Sequence, residues 1–189
     1  MIDADTRTVA LTFSTGADVV RFDWETGKRY YERLSMDPKH IRMTRLNSGA
    51  PLLDSHSAYT LASQIGVVER ASVDGKIGVA DVRFPRAEDD ESADKIYRKV
   101  VDKIIRNVSV GYRVHRFDEL PGMKNGLPVR VATDWEPFEI SMVPMGADSG
   151  ARVRNSNAVE TNPCVIVRCA LDHLDADRLR ALRLAQARS

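Results

Sequence analysis

Apolar and polar residues alternate through the first third of the chain in short runs broken by turn formers. Val9, Leu11 and Phe13 alternate, Gly16 interrupts, and Val19, Val20 and Phe22 take the pattern up again. That predicts short strands joined by tight connections. "WETGKRYYERL" predicts a turn at Thr26-Gly27 and another short strand after it. Asp37-Pro38 predicts a short helix through Ile41 and Met43, because proline suits a first helical turn. The loop-rich "LNSGAPLLDSHS" then brings His56 out of the apolar pair Leu52-Leu53.

The middle of the chain carries the clearest local signals. "IGVVERASVDGKIGVADVRF" is two alternating runs joined at Asp74-Gly75, a dipeptide that tolerates the positive φ of a hairpin turn. In "EDDESADKIYRKVVDKIIRN", Ala93, Ile96, Tyr97, Val100, Val101, Ile104 and Ile105 recur at helical spacing. This predicts an amphipathic helix on a sheet, with Asp89, Asp90 and Glu91 at the positive end of its dipole. The helix feeds into "RNVSVGYRV", where Val108, Val110, Tyr112 and Val114 alternate with Asn107, Ser109, Gly111 and Arg113. A turn cluster, "ELPGMKNGLP", precedes a last strand in which Phe138, Ile140 and Met142 oppose Glu139 and Ser141. From about residue 150 the texture changes to a linker, "RVRNSNAVETNP", a short apolar run, and a basic helical pattern from Leu174 to Ala187. The expected organisation is one domain over residues 1–150 and a basic tail over 151–189. The expected fold class is mixed α/β (α+β) and strand-rich: a mostly antiparallel β-barrel or sheet flanked by a few helices.

Composition narrows the function classes. With 189 residues, 43% hydrophobic and 29% charged, the chain matches ordinary globular proteins and is long enough for one real core. A net charge of +1 argues against a nucleic-acid partner, which calls for a concentrated basic surface. The tail is more basic, with seven Arg against four acids from residue 151 onward. No apolar run has the length of a membrane span, and "MIDADTRTVALTF" is acidic where a signal peptide is basic. Cys164 and Cys169 make no disulfide framework, and no His or Cys spacing suits zinc. The expectation is a cytoplasmic protein without metal or cofactor.

Three polar residues project from apolar segments: His56 beside Leu52-Leu53, Ser109 within its valine strand, and Glu139 between Phe138 and Ile140. A serine hydroxyl needs a base to take its proton, and imidazole suits that role near neutral pH. A carboxylate in turn holds the imidazole tautomer and stabilises the imidazolium. Ordinary roles stand open for each as well. His56 can cap a turn, Ser109 can be a small barrel-facing residue, and Glu139 can pair with Arg113 or Arg130. Ser141 shares Glu139's face and is within reach of hydrogen bonds there. His40, His115 and His173 have no comparable setting and read as structural or solvated.

In its ordered segments the chain resembles the tailed-bacteriophage prohead maturation proteases, serine peptidases similar in fold to the herpesvirus capsid-maturation proteases (assemblin-like). "YYERL" matches the early Glu-Leu segment, "APLLDSHS" the histidine segment, and the hairpin from Ile65-Gly66 the family's Ile-Gly hairpin. "IIRNVSVGYRV" matches the Ser-(Val or Ile)-Gly-(Tyr or Phe) strand, and "WEPFEISMVPMGAD" the Glu-(Val or Ile)-Ser-(Leu or Met)-Val-Pro segment. The order of these segments over residues 9–150 is more specific than any one of them. The resemblance implies Ser109 as nucleophile, His56 as general base and Glu139 as third member, with Asp134 and Glu136 as neighbouring alternatives. Many relatives follow the histidine with an acid, whereas here Ser57 follows it. The implied partners are the phage major capsid protein, scaffold segments and the chain itself, as substrates and by self-association. Nucleic acid and membrane are not among them. The implied location is the interior of the procapsid, assembled in the bacterial host cytoplasm. From the sequence itself, the Gly-rich "PMGADSGA" just after the Glu139 strand is the expected source of oxyanion-binding amides. A non-catalytic structural or scaffolding phage protein on the same fold is the alternative.

Overall fold

A computed structural model describes residues 2–154. Cys164, Cys169, His173 and the tail helix expected from Leu174 lie outside the described residues. The described residues form nine strands and one α-helix, in the order β1 (Ile2–Asp3), β2 (Thr8–Ser14), β3 (Val19–Asp23), β4 (Lys28–Leu34), β5 (Pro51–Asp54), β6 (Gln64–Asp74), β7 (Ile77–Arg83), α1 (Glu91–Val101), β8 (Asn107–Lys124) and β9 (Leu127–Val143).

The strands run across one sheet as β1-β2-β7-β6-β5-β9-β4-β3, with β8 on β9. Strand β9 organises it. One edge carries β8 as a long antiparallel hairpin, and the other carries β4 and β5, both parallel to it. The strand-rich α+β class is as expected, but the ladders form an open mixed sheet with a single α-helix among the described residues. The two parallel pairs were not expected, and they arise because β4 and β5 each reach β9 through a long crossover. Single bridges join Leu11 to Val153 and Asn107 to Arg152, so residues just past 150 pair with the sheet.

Turn chemistry explains the hairpins. Gly27, with φ 68°, closes β3 onto β4, and Asp23 Oδ1 accepts from the Glu25 and Thr26 amides within that turn. Strands β6 and β7 pair Asp74 with Ile77, so the two-residue loop is Gly75-Lys76, one position later than expected. Of the two, Gly75 alone takes positive φ, as at the first central position of a type II′ turn. The "ELPGMKNGLP" cluster is mostly strand. Its turn is confined to Asn125-Gly126, both at positive φ, and a register shift between Glu119 and Met123 absorbs Pro121 and Gly122.

Helix α1 begins as expected, with the Asp90 side chain accepting from the Ala93 amide. It stops at Val101, before Ile104 and Ile105. Asp102 caps it and Lys103 turns left-handed at φ 61°, which leaves Ile104 exposed. The helix at Asp37-Pro38 is only a 3₁₀ turn over Pro38–His40, capped by Asp37. Val9, Leu11, Leu52, Val82, Val108, Trp135 and Ile140 are fully buried and form the core, on which α1 sets Ala93, Tyr97 and Val100.

Candidate active site

Two residues of β8 and two of β9 make the floor of the site. Across the antiparallel ladder Ser109 faces Ser141, and Gly111 faces Glu139. Alternation places all four on one face of the sheet, while Val108, Val110, Ile140 and Met142 enter the core on the other. Phe138 has no partner on β8, since Gly111 pairs with Glu139 and Tyr112 with Pro137. That bulge resets the alternation, so Ile140 and the buried Trp135 share the core face although their spacing is odd. Glu139 and Ser141 are nonetheless almost completely buried, at 4% and 0% exposure.

What covers them is the segment after β5. Leu52, Leu53 and Asp54 pair in parallel with Ile140, Ser141 and Met142. Ser55 and His56 then take left-handed backbone, at φ 51° and 60°, an uncommon conformation for residues that are not glycine. Three amides hold this turn. Ser55 N–H donates to Met142 O at 3.0 Å, Ser57 N–H to Asp54 O at 2.9 Å, and His56 N–H to Ser141 Oγ at 3.0 Å. The turn folds the imidazole back over β9, where Nδ1 lies 2.6 Å from Glu139 Oε1. The other carboxylate oxygen, Oε2, accepts from Ser141 Oγ at 2.7 Å. The imidazole side chain is 44% exposed, so a buried carboxylate orients a solvent-facing ring. With Nδ1 on the carboxylate, Nε2 is the nitrogen left for a substrate or nucleophile.

Of the three acids considered, Glu139 is the one that touches His56. Asp134 is held by Arg42, with Nε and Nη2 each 2.6 Å from a carboxylate oxygen, and Glu136 lies 3.8 Å from His115. Arg130 is engaged by Asp23 and Glu119, away from Glu139. Ser109 is half-buried, two register pairs from Glu139 on the same face. No hydrogen bond joins its hydroxyl to His56 among the described residues. A different serine–histidine pair does make contact: Ser35 Oγ and His40 Nδ1 are 2.8 Å apart. There Ser35 Oγ also accepts from the Asp37 amide and its carbonyl accepts from Trp135 Nε1, the pattern of a turn brace.

Glu32 of "YYERL" is buried behind the serine strand, accepting from Arg21 Nε at 3.1 Å and from the Tyr112 hydroxyl. Burial, with the Glu32 carboxylate beside it, pushes the Tyr112 phenol well above its ordinary value. A small cavity of about 40 Å³ borders this group and Ser109, but its walls include Phe13, Leu34, Val108 and Val110, on the core face. After β9, the chain from Met145 to Ser149 runs past the start of β8. Asn107 Nδ2 donates to Pro144 O, and a side chain at Gly146 would meet Val108 O. None of those five backbone amides donates a hydrogen bond among the described residues. The loop is pinned by Asp148, which accepts from the Thr15 amide and hydroxyl and from the Gly150 amide. No group of three or more His, Cys, Asp or Glu suited to a metal ion occurs among the described residues.

The model of the caudovirus prohead serine proteases matches residues 19–163, a span that contains His56, Ser109 and Glu139. The chain belongs to that family. It is also 38% identical over 127 residues to a protein named major capsid protein from Halomonas phage phiHAP-1, covering 67% of this chain and 20% of that protein. The chain thus spans about a fifth of the length of the curated relative it matches. No solved structure matches it.

Ser141 makes the hydrogen bonds expected of it on Glu139's face, and its binding of the His56 amide as well was not drawn out of the sequence. Nor was Gly111, which gives up its side chain where the Glu139 carboxylate lies. The available signal was parity: both fall on the face of Ser109 and Glu139.

Proposed function

We propose that this prohead-protease-family chain is a serine endopeptidase in which Ser109 attacks the scissile carbonyl, His56 is the general base and Glu139 orients it. The observation that carries the reading is the His56–Glu139 contact of 2.6 Å, two register pairs from Ser109 on the same face. A buried carboxylate on Nδ1 fixes the tautomer that leaves Nε2 free to accept a proton. The Ser109 proton passes to Nε2 as Oγ bonds to the carbonyl carbon. The protonated ring then gives that proton to the leaving amine as the peptide bond breaks. Water, deprotonated by the same ring, next hydrolyses the acyl-enzyme and restores the serine. Ser109 and His56 come into hydrogen-bonding contact when substrate closes the site, since such bonds are often long in unliganded enzymes. The free amides of Met145–Ser149 supply the oxyanion donors.

The substrates we assign are procapsid proteins: the major capsid protein's leading region, scaffold segments and the chain itself, with cleavage inside the procapsid in the host cytoplasm and self-association of the protease. Similarity to part of a protein named major capsid protein supports a capsid partner and suits a protease joined to, or acting on, such a chain. In this reading the sheet corresponds to the barrel of the herpesvirus capsid-maturation proteases, with residues 151–153 spanning the gap between β2 and β8. Residues 1–150 carry the protease and 151–189 a basic tail.

A fluorophosphonate probe followed by peptide mapping tests the class. Modification at Ser109, lost in Ser109→Ala and His56→Ala, is the expected result. Cleavage of the capsid partner by Ser109→Ala at the wild-type rate overturns it. The second reading, a structural module without catalysis, draws on the capsid name of the relative and predicts no labelling at all.

A further inference from the structure

We propose that Ser141 is a positioning residue of this site, a single hydroxyl that sets both the imidazole and the carboxylate. The inference rests on the protease reading above. It goes beyond the three residues named there.

The geometry assigns two of the three hydrogen-bonding positions of that hydroxyl. Its one proton goes to Glu139 Oε2, at 2.7 Å. A lone pair receives the backbone N–H of His56, at 3.0 Å. A hydroxyl has one proton to give and two lone pairs to offer, so the same oxygen serves both partners without conflict. It is fully buried, so no water replaces it when it is removed. Two consequences follow. With Oε2 held, the carboxylate cannot rotate, and Oε1 stays directed at Nδ1. With its amide held, His56 stays in left-handed backbone, which is costly for a residue with a Cβ. Glu139 fixes the ring at its far end and Ser141 fixes it at the root. Ser141 also stands directly opposite Ser109 in the ladder, which ties the base and the nucleophile strand to one register.

A serine on this strand is otherwise hard to account for. The position is buried within a sheet, where valine or isoleucine would contribute more by burial, and Leu53, its neighbour on β5, is apolar. A hydroxyl is kept there because a charged carboxylate and an otherwise unpaired amide both need it.

The test uses the full chain and separates this role from the protease reading. In Ser109→Ala protein the His56 Nδ1 proton is followed by ¹H–¹⁵N spectroscopy, which needs no turnover. A far-downfield resonance is expected, as for a ring proton bonded to a carboxylate. It should move upfield or be lost to exchange on adding Ser141→Ala or the nearly isosteric Ser141→Cys, and return with Ser141→Thr. With Ser109 intact, Ser141→Ala should lower kcat about 10–100-fold, by analogy with outer-shell partners of metal ligands, with KM little changed. An unchanged resonance in both the Ala and Cys proteins, or unchanged kcat, overturns the proposal. If the resonance responds while the chain with Ser109 intact shows no turnover and no labelling, the protease reading fails and the hydrogen-bonding role of Ser141 stands.

Discussion

Gly111 and Glu139 face each other across the β8–β9 ladder, and the carboxylate occupies the space that a side chain at 111 would need. A Cβ there would lie 2.8 Å from both the carboxylate carbon and Cγ of Glu139 and still closer to Oε1. The glycine is ordinary in φ, so its value is room rather than backbone freedom. Gly111→Ala should therefore fold, because the backbone accepts alanine, but displace the carboxylate from His56. Turnover should fall at least about 100-fold, the scale of losing general-base assistance, with thermal stability changed by only a few degrees. Gly111→Ala with wild-type turnover would show that the carboxylate has another place to go.

The contact between Ser35 and His40 gives a second prediction, because this serine hydroxyl and imidazole do lie within hydrogen-bond distance. Ser35 Oγ is already an acceptor for the Asp37 amide, and the Trp135 indole holds the adjoining carbonyl. The pair braces the end of β4. Ser35→Ala and His40→Ala should keep fluorophosphonate labelling and turnover within about twofold. The expected cost is about 1 kcal/mol of stability, typical of one net hydrogen bond. Labelling that vanishes in Ser35→Ala and persists in Ser109→Ala would move the nucleophile to the other side of the sheet's centre.

Much of the fold is legible in the sequence because its connections are chemical. Gly27, Gly75 and Asn125-Gly126 mark their turns, and Asp90 marks the start of α1. The end of α1 was misplaced because Ile104 and Ile105 continue the helical spacing, while Asp102 and Lys103 carry the stop. The site is less legible. His56, Ser109 and Glu139 stand out as residues, but their meeting depends on β5 lying parallel to β9, with Leu52 beside Ile140. No local pattern announces a parallel pairing between segments so far apart. Nor does anything in "DSHS" announce left-handed backbone at Ser55 and His56, since neither residue is glycine or asparagine.

Asp18 provides a pH dependence independent of catalysis. Its hydrogen bonds from Arg33 Nε and Nη2, at 2.6 and 2.9 Å, and from Lys124 Nζ hold its carboxyl at about 2, below the ordinary carboxylate value. A carboxyl depressed on folding adds stability above its unfolded value near 4 and loses it as pH falls through the folded value near 2. These bonds tie the β2–β3 connection to β4 and the tip of the β8–β9 hairpin. Wild type should lose its advantage over Asp18→Asn progressively between about pH 4 and pH 2. Equal pH dependence of the two unfolding curves in urea would remove Asp18 from the account.

Glu139→Gln isolates charge from shape. Glutamine keeps the volume above Gly111 and retains groups for His56 and Ser141, so the turn at Ser55-His56 should survive. What it removes is the negative charge beside a ring that must become positive when it takes the Ser109 proton. It also offers that ring an N–H₂ group, which favours the wrong tautomer. The expected fall in kcat/KM on a capsid-derived substrate is about 10²–10⁴-fold, in line with carboxylate-to-amide changes in such sites. Labelling at Ser109 should slow in parallel, since both need the same deprotonation. Glu139→Ala should be no more active than Glu139→Gln and less stable, because it also opens a buried space beside Ser141. Full activity in Glu139→Gln would mean that the carboxylate only packs against His56, and Asp134 and Glu136 would then have to be tested in its place.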